Sequence, residues 1–120
     1  MTSIQPELWV ETPREAVAFY EAAFGATVLH RVGEGEDVVA QLGVGDAAFW
    51  VAATSAAMKR LSPRAIDGAT SRTLLVVDDP ERIVRQAVAA GATERAFLAR
   101  VVVAPVWHDE ETAIADQPSV

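Results

Sequence analysis

No cysteine occurs anywhere in the 120 residues, which excludes disulfides, thiolate metal ligands and a cysteine nucleophile. Long apolar runs are missing too. None approaches the ~20 residues that cross a bilayer, and the opening MTSIQPELWV lacks the basic-then-apolar order of a secretory signal. Basic residues are few and dispersed, with only Lys59-Arg60 and Arg64 close together. Nucleic-acid binding draws its affinity from neutralised phosphates, and a net charge of -7 opposes it. Ser/His/Asp triads and phosphate-cradling glycine loops are absent; Gly33-Glu34-Gly35 opens no helix and reads as a turn. The expectation is a cytoplasmic protein that meets neither nucleic acid nor membrane. Its acidity serves solubility and mildly favours cationic small ligands.

What is present is enough for a folded core. A hydrophobic fraction of 51% and a mean hydropathy of +0.18 rule out a disordered chain, and the length fits one domain. Residues 5–10, QPELWV, form a short extended run. Thr12, Pro13 and Glu15 then predict a helix start with an N-cap, proline at the first position and a capping box. Ala16, Phe19, Tyr20, Ala23 and Phe24 recur at helical spacing as its buried stripe, and Gly25 supplies a left-handed exit. TVLHRV, DVVAQLGV and AAFWVAA follow as three strands parted by glycine turns. Residues 54–71 form a Ser-, Thr-, Gly- and Pro-containing connector with room for one helical turn. RTLLVVDD reads as a strand, and Asp79-Pro80 opens a second helix with Ile83, Val84, Ala87 and Val88 on its apolar face and Gly91 at its end. RAFLARVVVA is a further strand, stopped by Pro105.

The chain repeats itself. Aligning Pro13 with Pro80 pairs Leu8 with Leu75, Val10 with Val77 and Val17 with Val84, and Gly-Ala-Thr follows both helices. Each half has the order strand, acidic residue, cap, proline, helix, Gly-Ala-Thr. Two copies at this spacing predict two stacked halves rather than a solenoid, which needs at least three. The fold class expected is α+β: paired βαβββ modules at 5–53 and 72–120, with the second frayed at its end.

A strand, then A-x-x-F-Y on a helix, then F-G-A entering a strand, as in EAVAFYEAAFGATVLHR, resembles the vicinal oxygen chelate superfamily. That group includes glyoxalases, bleomycin-resistance proteins and extradiol dioxygenases, and the likeness is strongest to its bacterial glyoxalase/bleomycin-resistance branch. The resemblance implies that the modules curl into a curved mixed-sheet cup around a ligand, commonly with a partner chain, so a homodimer is expected. It also implies, in the enzymes, a divalent metal held by side chains on the first and last strand of each module. Those positions fall here on Gln5, Trp50, Arg72 and, in the weakly patterned tail, Asp116. Tryptophan cannot ligate, and arginine sets a fixed positive charge where the metal would lie. No cofactor is therefore expected, and a divalent metal enters only if the strand register is misread.

Strand alternation turns Leu8, Val10, Phe49 and Val51 toward the helix, and turns Glu7, Trp9 and Trp50 into the cup. His30, Gln41 and Arg72 complete the candidate pocket. Aromatics on strands more often pack than bind; the cup-facing parity is what singles out Trp9 and Trp50, where two indoles beside a carboxylate suit a planar cation. His30 and His108 lack a partner at metal-binding spacing, and Trp107-His108-Asp109-Glu110-Glu111 reads as a solvated acidic run. Three functions remain open: a metal-free small-molecule binder of the bleomycin-resistance type, which leads; a metal-dependent lyase or dioxygenase; and a vestigial structural or regulatory dimer.

Overall fold

In a computed structural model describing residues 2–71, 73–93 and 101–102, the first module is built as the alternation demands. Strand β1 (Glu7–Val10) leads into helix α1 (Pro13–Phe24), followed by β2 (Thr27–Val32), β3 (Val39–Val44) and β4 (Ala47–Ala53). The sheet order is β1-β4-β3-β2. β1 runs parallel to β4, and the two hairpin pairings are antiparallel. A parallel β1–β4 pair needs a crossover of a dozen or more residues, which α1 and the two following strands supply.

The stripe of α1 covers one face of this sheet. Ala16, Val17, Phe19, Tyr20 and Ala23 are buried against Val10, Ala40, Leu42 and Val51, with Leu8, Phe24, Val28, Val44 and Phe49 packed around them. Tyr20 meets Phe49 edge-on at 5.2 Å and stacks on Phe24 at 6.0 Å, the offset geometries that ring quadrupoles favour. Burial pushes the Tyr20 hydroxyl well above its ordinary pKa, so it stays neutral in the core. At the end of α1, Gly25 takes φ 69° and its N–H bonds the Glu21 carbonyl, a left-handed exit that glycine adopts at little cost.

The start of α1 departs from the predicted capping box. Thr12 makes no side-chain cap; its hydroxyl instead donates to Glu15 Oε1 at 3.3 Å. With its hydroxyl facing the carboxylate, Thr12 does not accept from the backbone N–H group it would satisfy in a capping box.

The repeat is visible in the backbone. Thr12 and Asp79, each preceding a helix-opening proline, adopt φ -129°, ψ 84° and φ -128°, ψ 81°. Asp79 does cap its helix, α3 (Pro80–Ala89; the short α2, Pro63–Ile66, precedes it), accepting from the Arg82 N–H at 3.2 Å. α3 packs on α1: Ala87 joins the core, and Gln86 Nε2 donates to the Ala22 carbonyl at 3.1 Å. The second strand run is much shorter than RTLLVVDD suggests. β5 is only Leu75–Val76, paired antiparallel with β6 (Val101–Val102). In module one the strand entering the helix pairs parallel with β4; among the described residues β5 pairs only with β6. Leu74 and Val76 are exposed; without burial, β-branched and aliphatic character alone does not extend a strand.

The connector is pinned rather than loose. Its single turn, α2 (Pro63–Ile66), is capped by Ser62, which is 0% exposed and accepts from the Ala65 N–H at 3.1 Å. The same hydroxyl donates to Glu11 Oε2 at 3.1 Å, and Arg64 reaches the other carboxylate oxygen at 3.5 Å. Glu11 thus ties the connector to the β1–α1 junction. Ser62→Ala removes the cap and leaves Glu11 Oε2 one partner short, so a loss of about 1–2 kcal/mol is expected in urea unfolding. A change below about 0.3 kcal/mol would show that the connector is not fastened there.

Candidate functional site

The face of the sheet turned away from α1 carries the candidate residues. Glu7 pairs with Trp50 across β1 and β4, Trp50 with Gln41 across β4 and β3, and Gln41 with His30 across β3 and β2. Cross-strand partners project to the same side, so Glu7, Trp50, Gln41 and His30 form one row across all four strands. Trp9 lies one step along β1, beside Ala52. Their neighbours in sequence, Leu8, Val10, Phe49 and Val51, belong to the core side.

His30 reaches this row through an irregularity. The β2–β3 register shifts between Val28 and His30, so Leu29 is an extra residue. A Cβ on Gly43 would meet the Leu29 side chain at 3.1 Å. Because Gly43 shares strand parity with Gln41, Leu29 lies over the same face and adds an apolar wall that sequence alternation does not place there. The signal available in sequence was Gly43 itself, since a glycine inside a strand often marks a bulge or a close approach.

The polar groups of the face are engaged with one another. Gln5 Oε1 accepts from Trp50 Nε1 at 2.9 Å and from Gln41 Nε2 at 2.9 Å. An indole nitrogen only donates, which identifies the Gln5 atom facing it as the oxygen. Gln5 Nε2 donates to Ser3 Oγ at 2.9 Å, and Trp9 Nε1 donates to Glu7 Oε1 at 3.3 Å. Pro6 holds the entering backbone beside Trp50, its carbonyl accepting the Trp50 N–H at 2.8 Å. Gln5 and Glu7 are exposed and Trp9, Gln41 and Trp50 half-buried. His30, at the other end of the row, is exposed as well, so the row meets solvent at both ends. The remaining candidates, Arg72 and Asp116, together with His108, lie outside the described residues.

The sequence profile of the Glyoxalase/Bleomycin resistance protein/Dioxygenase superfamily matches residues 3–112. The chain belongs to that superfamily. Solved structures agree with the superfamily fold. A gene product from Arabidopsis thaliana is similar at 25% identity and a TM-score of 0.68, over 89% of this chain and 93% of that one. A fosfomycin resistance protein, FosX, from Listeria monocytogenes, complexed with Mn(II) and sulfate, matches at 13% identity and a TM-score of 0.51, over 78% and 75%. A mutant of FosX with Mn(II) and dihydroxypropylphosphonic acid matches at 13% and 0.54, over 95% and 86%. At 13% identity these two share the fold alone. No curated protein matches.

The superfamily's metal can be tested against the donors present in module one. Gln5 and Trp50 occupy the two positions the resemblance assigns to ligands. Trp50 offers an N–H and no lone pair, and the Gln5 oxygen already faces two N–H donors. A divalent cation at that oxygen would sit against their positive hydrogens. Among the described residues no group of three or more His, Asp or Glu side chains converges to replace them. The first module's residues do not fit a divalent metal. Also among the described residues, no helix is long and apolar enough to cross a membrane.

Proposed function

We propose that this superfamily member is a small-molecule-binding protein of the bleomycin-resistance type, taking a planar, cationic compound on its open sheet face without a catalytic metal. The observation that carries the reading is the Glu7–Trp50–Gln41–His30 row with Trp9 beside it. Both indole N–H groups are turned to side-chain oxygens, and the ring faces supply the stacking and cation–π surface. Glu7 adds negative charge within the row, and the chain's net charge of -7 has the same sign. A cytoplasmic homodimer is the assembly proposed. β1 and β2 are the outer strands of the four-stranded sheet, and outer strands invite pairing. Sedimentation at the 12.8 kDa of one chain would remove the dimer.

Tryptophan fluorescence tests the binding reading. Planar cations should quench it while neutral isosteres of the same outline do so less. Trp50→Ala should weaken binding by about 1 kcal/mol or more, the scale of one aromatic contact. Equal response to cation and neutral isostere, or no loss in Trp50→Ala, rejects the proposal. A second reading, a metal-dependent lyase or dioxygenase, draws support from the Mn(II) bound to the FosX neighbours. Titration with Mn(II) separates the two: stoichiometric uptake that is lost in Gln5→Ala favours the metal enzyme and sinks the metal-free binder.

A further inference from the structure

Trp50 and Gln41 lie on adjacent strands as direct cross-strand partners, and both aim an N–H at one point. The atom at that point is a carboxamide oxygen, held at 2.9 Å by each donor. It belongs to Gln5, which precedes β1, is exposed, and comes from 36 and 45 residues away in the chain. The two donors are part of the sheet; the acceptor is carried by a segment outside it. The backbone is fastened at Pro6, through the bond from the Trp50 N–H, so the Gln5 side chain can leave without disturbing β1. Its other bond, to Ser3 Oγ, is also exposed.

We infer that Trp50 Nε1–H and Gln41 Nε2–H form a binding site for a ligand carbonyl oxygen, which the Gln5 side chain fills as an internal stand-in until a ligand displaces it. This rests on the reading of the sheet face as a cup for planar cations, and it adds what such a ligand carries: a neutral carbonyl or carboxamide oxygen on the planar ring system. A carboxylate is disfavoured, because Glu7 is the other cross-strand partner of Trp50 and like charges repel. The exchange replaces two hydrogen bonds to Gln5 with two to the ligand, so removing the stand-in strengthens binding of carbonyl-bearing ligands alone.

Two probes of equal charge and similar shape separate this from simple cation binding: the 1-methylnicotinamide cation, which bears a carboxamide, and the 1,3-dimethylpyridinium cation, which does not. Affinities come from fluorescence. The Trp50 indole N–H is followed by nitrogen–proton correlation spectra, assigned with Trp50→Phe. The carboxamide probe should shift that resonance. Gln5→Ala should tighten its binding about fivefold, the scale of one net hydrogen bond, and leave the dimethyl probe unchanged. Gln41→Leu should remove the preference between the probes. If both cations bind and Gln5→Ala leaves their affinity ratio unaltered, the carbonyl site is wrong and the cation cup stands. If neither binds, the cup is wrong and the carbonyl site falls with it.

Discussion

Leu42→Ala is expected to destabilise the protein by about 3 kcal/mol, the middle of the range for a buried leucine truncated to alanine. Leu42 is 0% exposed and sits in β3, with Val28 as its partner on β2 and Phe49 on β4. Neither neighbour can follow the truncated side chain inward, because each is held by its own strand register, so a cavity remains. In a chain of this length the loss corresponds to a melting point lower by roughly 10 °C. The neighbouring change Gln41→Leu is the control. One residue away, it alters the opposite, half-buried face and is expected to change stability by no more than about 1 kcal/mol. Similar losses for the two variants would mean that the sheet does not have one core side and one open side, and the binding-face argument would go with it.

Gly33→Ala has the second-largest expected effect, about 2 kcal/mol. Gly33 takes φ 83°, and an added Cβ would stand 2.8 Å from the Asp37 carbonyl oxygen. The backbone conformation alone is costly for an L residue, and the obstacle is main chain, which cannot rotate away. Gly35 provides the comparison, with φ 63° and open space where its Cβ would lie. Gly35→Ala should cost only the left-handed penalty, about 1 kcal/mol. The difference matters for the site because Gly33 and Asp37 close the turn between β2 and β3, whose pairing sets His30 opposite Gln41. Thermal melts read the stability. Cross-strand proton contacts between His30 and Gln41 read the register, and they should weaken in Gly33→Ala and persist in Gly35→Ala. Equal costs at the two glycines would show that the close approach to Asp37 is absent.

Much of module one is legible in the order of its residues. TVLHRV and AAFWVAA coincide with β2 and β4, and the helix predicted to open at Pro13 and exit at Gly25 does so. Alternation separates Leu8, Val10, Phe49 and Val51 from Glu7, Trp9 and Trp50, because the side-chain period of a strand is a local property. The repeat likewise predicts that Asp79-Pro80 starts a helix as Thr12-Pro13 does, and the two N-cap conformations agree within a few degrees. Thr12 does not cap with its side chain because the Glu15 carboxylate is an alternative partner for its hydroxyl, a competition that residue spacing does not resolve.

Other features depend on contacts between distant segments. Nothing in the connector sequence indicates that Ser62 is buried beneath Glu11, and nothing near Leu29 alone reveals the bulge that brings His30 level with Gln41. The polar knot of Gln5, Gln41 and Trp50 is the clearest instance. The resemblance assigns Gln5 and Trp50 to metal-ligand positions, a role for which a tryptophan is chemically unsuited. Only the tertiary structure turns the Gln5 oxygen onto two N–H donors. The amino-acid sequence determined which residues share a face, through periodicity and turn chemistry acting over a few residues. The tertiary structure decided which of them meet, because hydrogen-bond partners across strands depend on a register set jointly by turns, bulges and core packing.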